Sequence, residues 1–209
     1  MVARQAVRVV RFTLRTDENT GQNVKKILGV VGSPRKKGNT DILVSRILDS
    51  AGEAGCDTKK LFLGDLHIRE CDGCHSCWKG RRCSKKDDMI GVYPQIIESD
   101  IIVFGTPVYW YGPTALMKCF IDRFVYFNCP GNRTKIKGKS AVLAIPFEEQ
   151  NPGTADLLIR FFEKSLGYLK MKIHGKIIAP GVSARGDILR KEKVLEEAYE
   201  LGSRICRFK

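Results

Sequence analysis

The 209-residue chain is predicted to be an α/β protein built on a doubly wound, five-stranded parallel sheet. Two observations predict it. Five short apolar runs recur along the chain, bounded by turn residues and of buried-strand length. Amphipathic stretches at helical spacing lie between them, and strands alternating with helices make a parallel sheet covered on both faces.

The elements follow in order. Ile27-Leu28-Gly29-Val30-Val31 reads as the first strand and stops at the turn signal Gly32-Ser33-Pro34. Asn39-Thr40-Asp41 opens a helix whose apolar residues Leu43, Ile47, Leu48 and Ala51 fall on one face, and Gly55 ends it. Lys60 to Leu63 is a second strand. A cysteine-rich loop comes next, and Asp87-Asp88 caps a helix running to about Glu98. Asp100 to Gly105 is the clearest strand of the chain. Pro113 suits the first position of a helix through Phe124. A basic linker, 128–138, leads to a strand over Ser140–Ile145. Leu158, Phe161, Phe162 and Leu169 mark the next helix, Lys176 to Pro180 the fifth strand, and Val194, Ala198, Leu201 and Ile205 the apolar stripe of the last helix. Five strands of this kind suit the flavodoxin-like order 2-1-3-4-5, in which ligands sit beyond the carboxyl ends of the strands at the switch point. The loops after the first and third strands are therefore the expected functional loops.

Composition narrows the class. Hydrophobic residues make up 43%, enough for one packed core. No apolar run is long enough to span a bilayer, and residues 1–26 lack a secretory signal, so the expected location is cytoplasmic, with no membrane partner. The formal net charge is +13. Lys79, Arg81, Arg82, Lys85 and Lys86 cluster around one cysteine, a positive rim suited to an acidic electron carrier such as a ferredoxin. A nucleic-acid partner is disfavoured, because neither a helix-turn-helix nor a zinc-finger spacing is present. Residues 1–26 read as a separate basic extension, a flexible arm or a stretch upstream of the true start. There Arg4, Arg8, Arg11 and Arg15 share one helical face, somewhat as in a transit peptide, the third reading of this stretch.

Cys71, Cys74, Cys77 and Cys83 have the spacing C-x2-C-x2-C-x5-C. Three thiolates two residues apart with a fourth close by can wrap one compact body, the arrangement an iron–sulfur cubane requires. Structural zinc more often takes two separated pairs. Zinc, or free thiols in a surface loop, are the competing readings. His75 is either a donor or proton relay beside the ligands or, more plainly, a solvent-facing loop residue, and Trp78 either shields the site or packs the loop down. Cys56, Cys119, Cys129 and Cys206 are scattered and read as ordinary small apolar residues.

The loop Gly32 to Thr40 joins a strand to a helix N-terminus, where free N–H groups and the helix dipole favour phosphate. Ser33, Asn39 and Thr40 add donors and Arg35 adds charge. Asn39 stands where a Walker A lysine would be, and there is no G-x-G-x-x-G, so a terminal monophosphate fits better than a triphosphate or dinucleotide. An ordinary strand-to-helix turn capped by Asn39 is the alternative. In the loop after the third strand, Tyr109-Trp110-Tyr111 lie between prolines and glycines and offer a wall for a flat heteroaromatic ring, or a cover for the core or a subunit interface.

With Gly-Ser-Pro-Arg-x-x-Gly-Asn-Thr at 32–40, the four-cysteine run at 71–83, and Thr-Pro-Val-Tyr at 106–109 leading to Gly112-Pro113, the sequence resembles the iron–sulfur flavoproteins. These are a flavodoxin-like branch of the NAD(P)H-dependent FMN reductase superfamily. The resemblance covers about residues 27–206. It implies FMN and a [4Fe–4S] cluster as cofactors, NAD(P)H as a candidate donor, and a homodimer or homotetramer. Carried over by position, Ser33, Arg35, Asn39 and Thr40 hold the FMN phosphate, and Pro107, Tyr109, Trp110 and Gly112 line the isoalloxazine. Gly38 and Val108 join these cofactor-binding positions, and the four cysteines hold the cluster. No catalytic residue is assigned. Many relatives contact the flavin with a glycine-rich loop after the fourth strand; here that loop is Ile145-Pro146-Phe147-Glu148-Glu149-Gln150, larger and acidic, and its contacts stay open.

The expected domain is therefore a flavodoxin-like FMN-binding unit over 27–209 carrying a cluster loop at 71–83. The expected activity is an electron-transfer oxidoreductase, taking electrons from an external carrier through the cluster to FMN and on to a small acceptor. An NAD(P)H-dependent FMN or quinone reductase without a working cluster is the second reading. A zinc-stabilised basic binding module is the third.

Overall fold

A computed structural model of the chain describes Phe12 and residues 24–207. The arginines of the basic extension lie outside the described residues. Phe12 itself is buried, its N–H 3.3 Å from a Glu98 carboxylate oxygen and its ring beneath the ammonium of Lys59.

Strands β1 (Lys26–Val31), β2 (Asp57–Phe62), β3 (Ile101–Gly105), β4 (Ser140–Pro146) and β5 (Lys172–Ala179) form one sheet in the order β2-β1-β3-β4-β5, all parallel. Helices α1 (Asn39–Glu53), α2 (Met89–Glu98), α3 (Ala115–Asp122), α4 (Val125–Asn128), α5 (Asp156–Tyr168) and α6 (Glu192–Arg207) cover it. Successive side chains of a strand point to opposite faces. Leu28, Val30, Ile102, Phe104 and Leu143 thus pack against the α2 to α5 side. Ile27, Val31, Val103, Val142 and Ala144 pack against α1 and α6. The doubly wound fold and its strand order are as the sequence predicts. Among the described residues, no helix is long and apolar enough to cross a membrane.

Some boundaries differ for local reasons. Pro113 does not start α3. Thr114 is its N-cap, with extended backbone and a side chain that accepts from the Met117 N–H, so Ala115 is the first helical residue. The helix also does not run through to Phe124: it ends at Asp122, and the single turn α4 follows. Asn39 is the first residue of α1, and Gly38 occupies the cap position. Strands β2 and β5 begin earlier than the apolar runs suggest, because edge strands are only half buried there and tolerate Asp57, Lys59 and Lys172. Cys56 and Cys206 are not ordinary apolar residues: they form a disulfide across a sequence separation of 150. The bond joins the start of β2 to the end of α6, at the edge of the sheet opposite the carboxyl ends of the strands.

Candidate functional site

Parallel pairing sets Phe62, Val31, Gly105 and Ala144 side by side at the carboxyl edge of the sheet. The loops leaving that edge build the site. After β1, the Gly32 N–H donates to the Gly105 carbonyl at 2.7 Å, the Arg35 N–H donates to Ser33 Oγ at 3.2 Å, and the Lys37 N–H donates to Asp41 Oδ2 at 2.8 Å. Gly38 is extended and supplies no side-chain cap. The first N–H groups of α1 have no intrahelical partner, an arrangement that suits an anion. Gly105 makes the close approach of that helix possible. A Cβ there would stand 2.3 Å from Val44 Cγ2 and 3.1 Å from Thr40 Cγ2.

After β3, Tyr109 and Gly112 exchange two backbone hydrogen bonds of 2.9 and 3.0 Å, closing a tight hairpin. Its tip is Trp110 and Tyr111, with φ of 49° and 60°. Two consecutive aromatic residues in the left-handed region are costly, and such backbone clusters at ligand sites. Trp110 is 97% exposed, so the hairpin stands clear of the body. Thr114 anchors its base by donating from Oγ1 to the Gly32 carbonyl at 2.5 Å, while its N–H donates to Thr106 Oγ1 at 3.3 Å.

A cleft of about 290 Å³ opens between these loops. Ser33, Arg35, Asn39 and Thr40 line one part, and Pro107, Val108, Tyr109 and Trp110 another. Gly38 and Gly112 do not line it; they shape the two loops behind it. Pro146, Phe147, Glu148 and Glu149, whose contacts the sequence leaves open, form part of the wall. The loop after β5 completes the wall with Val182, Ser183 and Arg185, and sequence reasoning missed it. It is zipped to the β4 loop by the Val182 N–H donating to the Phe147 carbonyl at 2.9 Å and the Gly181 N–H to the Glu149 carbonyl at 3.0 Å. It also occupies two residues assigned to phosphate. Arg35 Nη1 donates to the Ser183 carbonyl at 2.9 Å. Asn39 Nδ2 donates to the Ala184 carbonyl at 2.9 Å, and its Oδ1 accepts from the Ile188 N–H at 3.1 Å. The buried Ser33 and Thr40 keep hydroxyls beside the helix start. A cleft with a helix N-terminus and hydroxyls in one part and an aromatic wall in another suits a flavin mononucleotide.

Between β2 and α2 the chain is irregular apart from two 3₁₀ turns, Leu63–Asp65 and Cys77–Lys79. Cys71, Cys74, Cys77 and Cys83 all line one small cavity of about 20 Å³, backed by Tyr93, Arg123 and Tyr126. Among the described residues no three Cys, His, Asp or Glu side chains are already gathered at metal-binding distance. The thiols share a cavity rather than a coordination sphere. Their chemistry fits a cubane, in which each thiolate takes a different iron, so that four thiols around one cavity suit it without crowding a single ion.

The thiols are not equivalent. Cys74 Sγ lies 3.0 Å from Ser84 Oγ, and that contact, with the backbone at Ser76, holds its pKa below the ordinary thiol value. Burial pushes Cys77 up, and the neighbouring Cys129 adds to the effect. Cys83 Sγ accepts from Arg123 Nη2 at 3.2 Å. Arg123 is 1% exposed and paired with the equally buried Asp87 at 2.5 Å. Burial disfavours its charge, but the Asp87 hydrogen bond and the surrounding groups outweigh this and raise its pKa. His75 is exposed, with φ of 54°, and meets Trp78 edge-on at 5.9 Å. Lys85 leaves the basic rim to pair with Asp72 at 2.7 Å. Arg81, Arg82 and Lys135 instead rim a groove of about 610 Å³ beside Cys77 and Cys83, with Trp78, Ile90 and Ile97 in its walls.

Comparison with known proteins bears on both sites. The model of the NADPH-dependent FMN reductase family matches residues 25–159. An iron–sulfur flavoprotein of Archaeoglobus fulgidus is 35% identical over 114 residues, 54% of this chain and 50% of its own length. One from Methanocaldococcus jannaschii is 37% identical over 98 residues, 47% of this chain and 51% of its own. The chain thus spans about half the length of these curated relatives. The solved NAD(P)H:quinone oxidoreductase of Methanothermobacter marburgensis superposes with a TM-score of 0.69 at 17% identity, over 89% of this chain and 98% of that one, a likeness of fold.

Proposed function

The chain belongs to the NADPH-dependent FMN reductase family, and from that premise we propose that it is an FMN- and [4Fe–4S]-containing oxidoreductase passing electrons from an external reduced carrier to a small acceptor. The observation that carries the cluster half of this reading is the convergence of all four thiols of the C-x2-C-x2-C-x5-C run on one cavity. FMN exchanges electrons singly or in pairs and a cubane exchanges them singly, so the two together connect one-electron and two-electron chemistry.

The chain's own residues supply binding and shape. The start of α1, with Ser33 and Thr40, takes the phosphate, and Arg35 and Asn39 stiffen that corner through the β5 loop. Pro107 to Trp110 and Phe147 take the ring. Cys71, Cys74, Cys77 and Cys83 would hold the cluster in the cavity they line. The groove rimmed by Arg81, Arg82 and Lys135 receives an acidic carrier such as a ferredoxin, since opposite potentials speed encounter. A homodimer or homotetramer gives the exposed Trp110–Tyr111 hairpin a covering surface, and NAD(P)H is a candidate donor at the open cleft.

A second reading is a flavin or quinone reductase without a cluster, which the match to the FMN reductase family alone would equally support. Iron, acid-labile sulfide, zinc and FMN per chain, measured on anaerobically purified protein, separate the readings. About four irons, four sulfides and one flavin support the proposal. Flavin without iron supports the reductase, and zinc without flavin leaves a basic binding module. In the first case Cys77→Ala should abolish the iron and keep the flavin; retention of full iron would refute the ligand assignment.

A further inference from the structure

We infer that Arg123 is a positioning residue for the cysteine segment: it holds Cys83 through a sulfur hydrogen bond and pins both flanks of the segment to the body of the fold. This rests on the cluster reading for its redox consequence and on geometry alone for its mechanical one.

Arg123 follows the last residue of α3 and is the largest of the fully buried side chains. Three guanidinium hydrogen bonds go to the segment between β2 and α2. Nη1 donates to the Arg69 carbonyl at 2.9 Å and to Asp87 Oδ2 at 2.5 Å, and Nη2 donates to Cys83 Sγ at 3.2 Å. Asp87 extends the grip, since its carboxylate accepts from the Arg69 N–H at 2.9 Å and the Met89 N–H at 3.2 Å. Arg69 lies two residues before the first cysteine of the run, and Asp87 four after the last. One buried ion pair therefore closes the base of the loop and touches its fourth thiol. An unpaired charge would be very costly at this depth, so the pair forms as a unit.

The same helix starts at the other site. Thr114 caps α3 against Gly32 at the flavin cleft, and Arg123 sits nine residues on, at Cys83. At 1.5 Å per residue the two anchors are about 14 Å apart along one rigid rod. Hydrogen bonds to sulfur and local charge are what set cluster potentials. A guanidinium on a ligand sulfur stabilises the more negative, reduced state, so its removal moves the potential downward.

The test uses Arg123→Lys, which keeps the charge, and the double variant Arg123→Met with Asp87→Asn, which leaves no unpaired buried charge. Three readouts are taken: the midpoint potential of the iron–sulfur chromophore, the rate of tryptic cleavage at Arg81 and Arg82 in cluster-free protein, and the denaturation midpoint. The double variant is expected to show a more negative midpoint and cleavage about tenfold faster, the factor lost with one charged hydrogen bond. Arg123→Lys is expected to fall between it and the parent. Unchanged midpoint and unchanged cleavage in both variants would overturn the inference. A fall in denaturation midpoint with both the redox potential and the local cleavage rate unmoved would reduce Arg123 to a packing role and also overturn it. If the parent protein binds no iron, the cluster reading fails separately, and the cleavage rates alone decide whether Arg123 positions the loop.

Discussion

The Oγ1 of Thr114 donates a 2.5 Å hydrogen bond to the carbonyl of Gly32, joining the loop after β3 to the loop after β1 at the point where both enter the cleft. The same oxygen accepts from the Met117 N–H at 3.2 Å, so one buried hydroxyl caps α3 and fixes the distance between the loop after β1 and the aromatic loop. Thr114→Val keeps the shape and leaves a buried carbonyl and an N–H without their partner. The expected loss is about 1–3 kcal/mol in urea unfolding, with FMN affinity reduced about tenfold in a fluorescence titration and largely restored by Thr114→Ser. A valine variant that binds FMN like the parent would show that the two loops are positioned independently.

The packing of α1 on α6 depends on a missing side chain. A Cβ on Gly202 would lie 2.2 Å from the Ile47 carbonyl oxygen, a backbone atom that cannot turn aside. Gly202→Ala should therefore cost about 1–3 kcal/mol by forcing the helices apart. The check is chemical denaturation; an alanine variant as stable as the parent would mean that the helices separate without penalty.

The Cys56–Cys206 bond closes a loop of sequence separation 150 at the edge of the sheet opposite the cleft. Reduction, or Cys206→Ser, should lower stability by about 2–4 kcal/mol and leave FMN binding unchanged. Identical urea midpoints with and without reductant would show that the bond does not form in solution.

Lys139 Nζ donates to the Ile97 carbonyl at 2.8 Å and also to the Ser99 carbonyl, at the end of α2. Burial lowers its pKa, and Asp100 opposes that only in part. A lysine whose folded pKa lies below its unfolded value is charged in both states at low pH and neutral in both at high pH. Between the two values the unfolded chain binds the extra proton, so stability rises with pH across that alkaline window. The parent should gain stability relative to Lys139→Met as pH climbs through it, while at neutral pH the variant loses about 1–3 kcal/mol with its two carbonyl contacts. Parallel stability curves across the window would contradict the assigned direction.

Much of the fold is legible in local pattern. Ile101 to Gly105 is apolar throughout because both faces of its strand are covered, and any strand in that place must read so. The cleft is legible as far as its loops follow strands β1 and β3, since a doubly wound sheet leaves its switch point nowhere else. The loop after β5 was missed because its role lies in backbone carbonyls, at Ser183 and Ala184, which every residue has. The left-handed Gly181 and Gly186 mark a turn but not its partners. For Arg123 a signal existed: an arginine flanked by the apolar residues Phe120, Ile121, Phe124 and Val125 must be buried with a partner or twist the helix outward. Which partner was beyond reach, because Asp87, Arg69 and Cys83 come near only when the segment after β2 folds back.

By itself the sequence determined the order of elements, the two loops that line the cleft and the cysteine run, because each is written in neighbouring residues through strand period, turn chemistry and residue spacing. Only the tertiary structure decided that Arg35 and Asn39 are engaged by the β5 loop, that Cys56 meets Cys206, and that Arg123 reaches Cys83. Those contacts join residues 40 to 150 positions apart, and such pairings are set by how the layers pack, which no local pattern records.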